Sequence, residues 1–149
     1  NFKSNNMLIK YHDDFFVQWE TVFVVNENLN LGIFNFWIDD KAYPAAGINI
    51  TLNSLFYGLV SEIPMIEKLE MDIGNLPIDE IDFGDYENNN LVWINAGELY
   101  QYGFALIIGF NGNAERIFFT KDFEKTYEEI VLPKGTLLQT LKDLSQTRF

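Results

Sequence analysis

Residues 15–25 read FFVQWETVFVV, and their alternation sets the first expectation about the fold. Odd positions from 17 to 25 carry Val, Trp, Thr, Phe and Val, whereas even positions from 16 to 24 carry Phe, Gln, Glu, Val and Val. Because successive side chains of a strand point to opposite faces, this pattern predicts a β-strand. Both faces carry bulky residues, which favours a central place in the sheet.

The sequence on either side of this strand predicts an antiparallel meander. Residues 26–30 (NENLN) are typical of a turn, and residues 32–38 (GIFNFWI) predict the returning strand. Asp39-Asp40 forms the next turn, and Pro44 stops the short strand that follows it. Upstream, residues 7–11 (MLIKY) predict a further short strand.

The hydrophobic period becomes helical after Thr51. Apolar residues then recur at intervals of three and four, at Leu52, Leu55, Phe56, Leu59, Val60 and Ile63. We therefore predict an amphipathic helix with Thr51 as its N-cap and Pro64 as its end. A second helix is predicted over residues 137–144, because Thr136 and Gln139 have the spacing of a capping box.

The second half of the chain predicts more strands. They cover residues 91–95, 100–110, 116–121 and 127–132, the last of them at a sheet edge. The dipeptide Asn111-Gly112 joins two of these strands and is a strong signal for a hairpin turn.

Length and composition indicate one folded domain. Of the 149 residues, 48% are hydrophobic and 16% aromatic, which suffices for a core without disulfides or metals. We expect a single α+β domain over residues 1–149, with a meander-like antiparallel sheet of about six or seven strands and two helices. Residues 1–6 are expected to be a flexible or non-native end outside this fold.

Charge and cysteine content limit the function. The chain has 22 acidic and 10 basic residues, for a formal net charge of −12, and no cysteine, which excludes thiolate catalysis. Nucleic acids and anionic membranes attract cationic surfaces, so we expect neither as a partner. No apolar run approaches the roughly 18 residues of a membrane span, and we expect a cytoplasmic location. The charge favours fast association with a basic partner, although an acidic surface can also serve solubility alone.

The densest acidic stretch covers residues 62–87 and is called the acidic segment below. It reads EIPMIEKLEMDIGNLPIDEIDFGDYE and holds nine acidic residues against the single cation Lys68. Apolar residues are interleaved with the acids, unlike in a disordered acidic tail. We therefore expect a loop that is anchored to the core and presents a negative surface.

Few residues could carry chemistry. The single histidine, His12, lies in a polar turn, where histidine is more often exposed than catalytic. No cluster of zinc ligands exists, and a calcium loop would need a different spacing from that of Asp79, Asp82, Asp85 and Glu87. We expect no catalytic residue, no metal and no cofactor.

Two other kinds of function stay open. A carboxylate-based hydrolase would need two converging carboxylates whose pKa values are pushed apart. A small-molecule-binding or structural domain would hold its ligand against Trp19, Trp37 or Trp93.

Several pieces of the sequence together resemble the small immunity proteins that bacteria pair with secreted polymorphic toxins, including those of contact-dependent growth inhibition. The pieces are the run GIFNFWID over residues 32–39, Pro44, the helix start at Thr51-Leu52 and LPKGT over residues 132–136. The resemblance implies a non-catalytic α+β protein that binds the C-terminal domain of one cognate toxin, here a basic, nuclease-type domain. The oligomeric state is left open.

An inhibitor of a basic nuclease gains fast encounter and charge complementarity from a surface rich in carboxylates. The acidic segment is therefore the predicted partner-binding surface, with Tyr86 as an anchor. The predicted contact residues are Glu67, Glu70, Asp72, Asp79, Glu80, Asp82, Asp85, Tyr86 and Glu87.

Overall fold

A computed structural model describes residues 6–45 and 47–147, and the first half of the chain forms an antiparallel sheet. Its strands lie in the order β1-β2-β3-β4, with β5 paired to β3. They are β1 (Asn6–His12), β2 (Phe15–Asn26), β3 (Leu29–Ile38), β4 (Lys41–Tyr43) and β5 (Asn49–Thr51). The meander and the central position of β2 are confirmed. Residues 1–5 of the expected flexible end lie outside the described residues, whereas Asn6 already pairs with Glu20.

Strand β2 divides into a buried and an exposed half. Phe15, Val17 and Trp19 point into the core and are at most 3% exposed. From Val22 to Val25 every side chain is exposed, so both faces of the outer end of the β2–β3 hairpin are open. The bulky residues on both faces of β2 therefore have two explanations. Those in its first half pack in the core, and those from Val22 to Val25 lie at the exposed end of the hairpin.

The second half of the chain forms a separate antiparallel sheet in the order β6-β7-β8-β9. Its strands are β6 (Val92–Ile94), β7 (Ala105–Asn111), β8 (Ala114–Thr120) and β9 (Glu128–Pro133). The hairpin at Asn111-Gly112 and the edge position of the last strand are confirmed. The strand predicted over residues 100–110 is wrong at its start, because Gly97–Tyr102 forms a 3₁₀ helix. Gly103 ends this helix at φ +89°, a backbone conformation that favours glycine.

The helices are α1 (Leu52–Val60), α2 (Ile63–Glu67) and α3 (Thr136–Ser145). Pro64 does not end the first helix as predicted. It lies instead in the first turn of α2, where the missing N–H of proline costs nothing. The predicted capping box at Thr136 is also wrong, because Gly135 is the N-cap of α3 and the Thr136 hydroxyl donates to the Pro133 carbonyl.

One hydrophobic core joins the two sheets and the helices. Phe36 of the first sheet stacks on Phe104, with ring centroids 5.4 Å apart, and Tyr43 packs on Phe119 of the second sheet at the same distance. Helices α1 and α3 contribute buried leucines such as Leu55 to this core. The α+β class is confirmed, but within the described residues the strands number nine in two sheets, and the α-helices number three. None of the helices in the described part of the chain is long and apolar enough to cross a membrane.

Candidate functional site

From Ile73 onward the acidic segment lies against the outer face of the second sheet, opposite the main core, whereas Ile66 earlier in the segment belongs to the main core. Ile73, Ile81 and Phe83 of the segment are buried in a second hydrophobic cluster, together with Ile107 of β7 and Phe118 of β8. Alternation along the strands explains this, because a strand buried on both faces offers every second side chain to each side. The expectation that the segment is anchored by its apolar residues agrees with the structure.

Backbone hydrogen bonds fix the middle of the segment to the β7–β8 hairpin. The N–H of Ile73 donates to the Phe110 carbonyl at 2.9 Å, and the Asp72 carboxylate accepts from the Gly112 N–H at 2.6 Å. Arg116, which is only 6% exposed, donates to the Gly74 carbonyl at 2.8 Å. Asp72, a predicted contact residue, is therefore committed to holding the hairpin turn.

Arg116 is itself held by a bidentate ion pair. Its Nε and Nη2 donate to the two carboxylate oxygens of Glu129, at 2.7 and 2.9 Å. This hydrogen bonding raises the pKa of the Arg116 guanidinium. A planar fork of this kind fixes geometry as well as charge, so the pair orients the guanidinium toward the acidic segment.

All nine predicted contact residues are exposed, but they differ in what else they do. Asp82 and Asp85 accept hydrogen bonds from the N–H groups of Gly84 and Glu87 and so close local turns. Glu67 lies 3.9 Å from the Lys142 ammonium. Within residues 6–45 and 47–147, four of the eight carboxylates have neither a hydrogen bond nor an ion pair, and they are Glu70, Asp79, Glu80 and Glu87.

Tyr86 is 68% exposed and packs on the half-buried indole of Trp93, with ring centroids 5.4 Å apart. The Trp93 Nε1 is buried and finds no hydrogen-bond partner in the described residues. Because burial removes this donor from water as well, it is held at a free-energy cost. Tyr86 thus covers an indole instead of projecting alone into solvent.

The other sites considered from the sequence gain little support. The His12 Nδ1 accepts the Asp14 N–H at 3.1 Å, which closes the β1–β2 turn. Among the described residues, no three His, Cys, Asp or Glu side chains come together as metal ligands. Trp19 is buried against Phe56, and Trp37 donates to Gln18 at 3.0 Å beside an open cavity of about 230 Å³.

Among the described residues, two carboxyl groups have a raised pKa, and both accept backbone N–H hydrogen bonds. Burial raises the pKa of Glu62, whose Oε2 accepts from the Asn95 N–H at 2.8 Å. Burial also raises the pKa of Glu115, which accepts from Gly135 and Leu137 at the start of α3. The sequence alone missed the role of Glu115, because nothing local marks a glutamate in a strand as the cap of a helix about twenty residues later.

Comparison with known proteins places this fold. A crystal structure of CdiI from Burkholderia dolosa AUO158 is similar, with a TM-score of 0.55 and 11% sequence identity over 88% of this chain and 95% of that chain. No curated protein matches the chain. The model of the family described as immunity protein 42, Imm42, matches residues 7–147, which is nearly the whole sequence. The resemblance to immunity proteins is thereby confirmed, and the chain belongs to the Imm42 family.

Proposed function

We propose that this protein is a non-catalytic inhibitor that binds the C-terminal domain of one cognate toxin in the cytoplasm. Membership of an immunity protein family supports the general role. Its partner is then a folded toxin domain, and neither nucleic acid nor membrane. The observation that carries the choice of surface is the acidic segment, in which Ile66, Ile73, Ile81 and Phe83 are buried while eight of the nine carboxylates are exposed.

The charge of this surface points to a basic partner. The acidic segment holds nine carboxylates against Lys68, on a chain with a formal net charge of −12. A nuclease needs a cationic surface to hold phosphates, so an anchored row of carboxylates complements it. Because the backbone of the segment is fixed to the second sheet, binding would order little additional backbone, which favours affinity.

The test uses the toxin domain that we expect to be encoded immediately upstream of this gene, with its activity removed by mutation. Asp79, Glu80 and Glu87 are changed together to lysine, because none of the three side chains has a hydrogen bond or an ion pair in the described part of the chain. The control changes three other exposed residues to lysine, Glu20 of strand β2 and Asp13 and Glu27 in the turns before and after it. Both variants carry the same net charge, −12 plus 6, or −6.

We expect the first variant to associate at least about tenfold more slowly than the control at low salt, with the difference shrinking as salt rises. Equal slowing in both variants would show that net charge matters and the acidic segment does not. Unchanged binding in the first variant would remove the segment from the interface. Turnover of any substrate by the isolated protein would contradict a purely inhibitory role.

A further inference from the structure

Exposed aromatic side chains occur both at the end of the acidic segment and in the two loops that hold one carboxylate, Glu124. Tyr86 is 68%, Tyr100 46% and Phe123 54% exposed, and Tyr100 and Phe123 meet edge to face with centroids 6.3 Å apart. Glu124 follows Phe123 in the loop between β8 and β9. Exposed aromatic residues at this density mark interaction surfaces, and tyrosine is enriched among residues that dominate binding energy. We call Tyr86, Tyr100, Phe123 and Glu124 the aromatic–Glu124 surface.

Two phenols hold the Glu124 carboxylate in place. The Tyr100 hydroxyl donates to Oε2 at 3.0 Å, and the Tyr127 hydroxyl donates to Oε1 at 2.9 Å. The hydrogen bond to Glu124 raises the pKa of Tyr100. Phe83 of the acidic segment stacks on Tyr127 with centroids 4.1 Å apart, which brings the end of the segment beside this carboxylate. Each oxygen of an ionised carboxylate has about two acceptor positions, which leaves one on each free for a further donor.

The loop that carries Phe123 and Glu124 is fixed before any partner arrives. Both residues have positive φ angles, 58° and 66°, which residues other than glycine adopt only when their surroundings require it. The Asp122 carboxylate accepts from the Thr126 N–H and hydroxyl at 2.9 and 2.5 Å, and the buried Thr120 hydroxyl accepts the Glu124 N–H at 3.0 Å.

The loop is also fixed to the 3₁₀ helix that carries Tyr100. The Phe123 N–H donates to the Gly103 carbonyl at 3.1 Å. A Cβ at Gly103 would lie 2.7 Å from the Lys121 carbonyl oxygen, so only glycine allows this approach. A surface that is already ordered loses little entropy on binding, which is the property of a docking site.

The charges around this surface select a cationic group. Asp85 and Glu87 flank Tyr86 in the sequence, and both are exposed. The loop contains two cations. Lys121 is paired with Glu128 at 3.6 Å, and Lys125 is the residue after Glu124. Aromatic rings beside a carboxylate suit a guanidinium, which stacks on the rings and donates to the oxygens at once.

We propose that the aromatic–Glu124 surface binds an arginine side chain of the cognate toxin domain, with the guanidinium against the exposed rings and hydrogen-bonded to Glu124. This inference rests on the proposed function and extends the interface from the acidic segment to the β8–β9 loop. The inference requires a positively charged toxin side chain beside Glu124.

The experiment measures the dissociation constant of the complex with the inactivated upstream toxin domain by calorimetry. Phe123→Ala and Glu124→Gln are compared with Phe23→Ala and Glu27→Gln, which alter an equally exposed phenylalanine and an exposed glutamate on the β2–β3 hairpin. We expect each of the first two variants to bind about 30-fold or more weakly, and each control to bind like the wild type. The salt dependence of binding should be smaller for Glu124→Gln than for the wild type.

Three outcomes would overturn the inference. Wild-type affinity in both Phe123→Ala and Glu124→Gln would remove this surface from the interface and leave the proposed function standing. Weakening by Phe123→Ala alone would show contact without a bound cation. Absence of binding by the wild-type protein would reject the inference and the proposed function together.

Discussion

The Glu115 carboxylate of strand β8 caps helix α3, with its Oε2 2.9 Å from the backbone nitrogen of Leu137. Its Oε1 accepts from the Gly135 N–H at 2.7 Å, so both oxygens serve the same helix N-terminus. The first N–H groups of a helix have no partner within it, and a negative charge there is favourable. Since Glu115 is fully buried, this connection ties the second sheet to the helix that completes the main core.

Replacing Glu115 by glutamine should destabilise the protein by about 1.5–3 kcal/mol, the range for a hydrogen bond to a charged group. Glutamine keeps one oxygen acceptor, but its NH₂ group then faces a backbone N–H, so one of the two hydrogen bonds is lost. The measurement is urea unfolding followed by circular dichroism. Gln139→Ala is the control, because Gln139 bonds to Asp143 and not to the helix start. Equal losses of stability in the two variants would support the capping box predicted at Thr136.

The contribution of Glu115 should also depend on pH. Burial raises its pKa above the ordinary 4.5, so the folded state binds the proton more tightly than the unfolded state. The resulting stability is complete below pH 4.5 and is lost as pH rises through the raised pKa of the folded state. The free energy of unfolding of the wild type, relative to Glu115→Gln, should therefore fall as pH increases above 4.5. A rise over that interval would contradict the direction of the shift.

Phe83→Ala should detach the acidic segment from the second sheet. Phe83 stacks on Tyr127 with centroids 4.1 Å apart and packs on Phe118 at 5.1 Å, and its removal leaves a cavity. We expect a loss of about 3 kcal/mol, with faster amide exchange throughout the segment. Tyr86→Ala, at a site 68% exposed, should change stability by less than about 0.5 kcal/mol. Unchanged exchange in Phe83→Ala would show that the segment does not depend on this anchor.

Gly32→Ala should disturb the pairing of β2 with β3. A Cβ at this position would lie 2.1 Å from the Glu20 carbonyl oxygen and 2.8 Å from Leu52 Cδ1, so the backbone itself must move. Overpacking of this kind costs about 1–3 kcal/mol, and thermal unfolding would measure it. Gly84→Ala serves as the comparison, because its nearest neighbour is the end of the Asp82 side chain at 3.3 Å. Similar melting temperatures for the two variants would count against this packing.

The β8–β9 loop should lose order at acid pH. Hydrogen bonds from the side chain and backbone of Thr126 lower the pKa of Asp122 from 3.8 to about 2. The order that this carboxylate supplies is present above pH 3.8 and is lost as pH falls through 2. In Asp122→Asn the Glu124 and Thr126 amides should exchange faster than in the wild type at neutral pH, and the two proteins should converge near pH 2. Equal protection at neutral pH would show that Thr120 alone holds the loop.

Local patterns sufficed for most of the elements but not for their assembly. Alternation over residues 15–25, the Asn111-Gly112 turn and the helical period after Thr51 each depend on neighbouring residues, and each was predicted correctly. The start of the strand expected over residues 100–110 was predicted wrongly. Tyr100 and Tyr102 are of a residue type that favours strands. Gly103, however, has a positive φ and packs closely against the Lys121 carbonyl, a tertiary contact that no local pattern indicates. The division into two sheets also lacks a local signal.

The candidate site shows the same division. The interleaved apolar residues predicted that the carboxylates would be exposed. They did not predict that Asp72 accepts a hydrogen bond from the Gly112 N–H. The pairing of Tyr100 with Glu124 joins residues from two loops, and no spacing in the sequence predicts it. The partner-binding role of the nine residues stays a prediction.

The amino-acid sequence by itself determined the α+β class, the meander, the negative charge and the anchoring of the acidic segment. These depend on composition and on periodicity within one element, which burial of apolar surface converts directly into structure. Tertiary structure decided which carboxylates stay free, which glutamate caps α3, and that Tyr100 meets both Glu124 and Phe123. Such contacts join residues far apart in the chain, and their geometry exists only once both sheets have packed around the core.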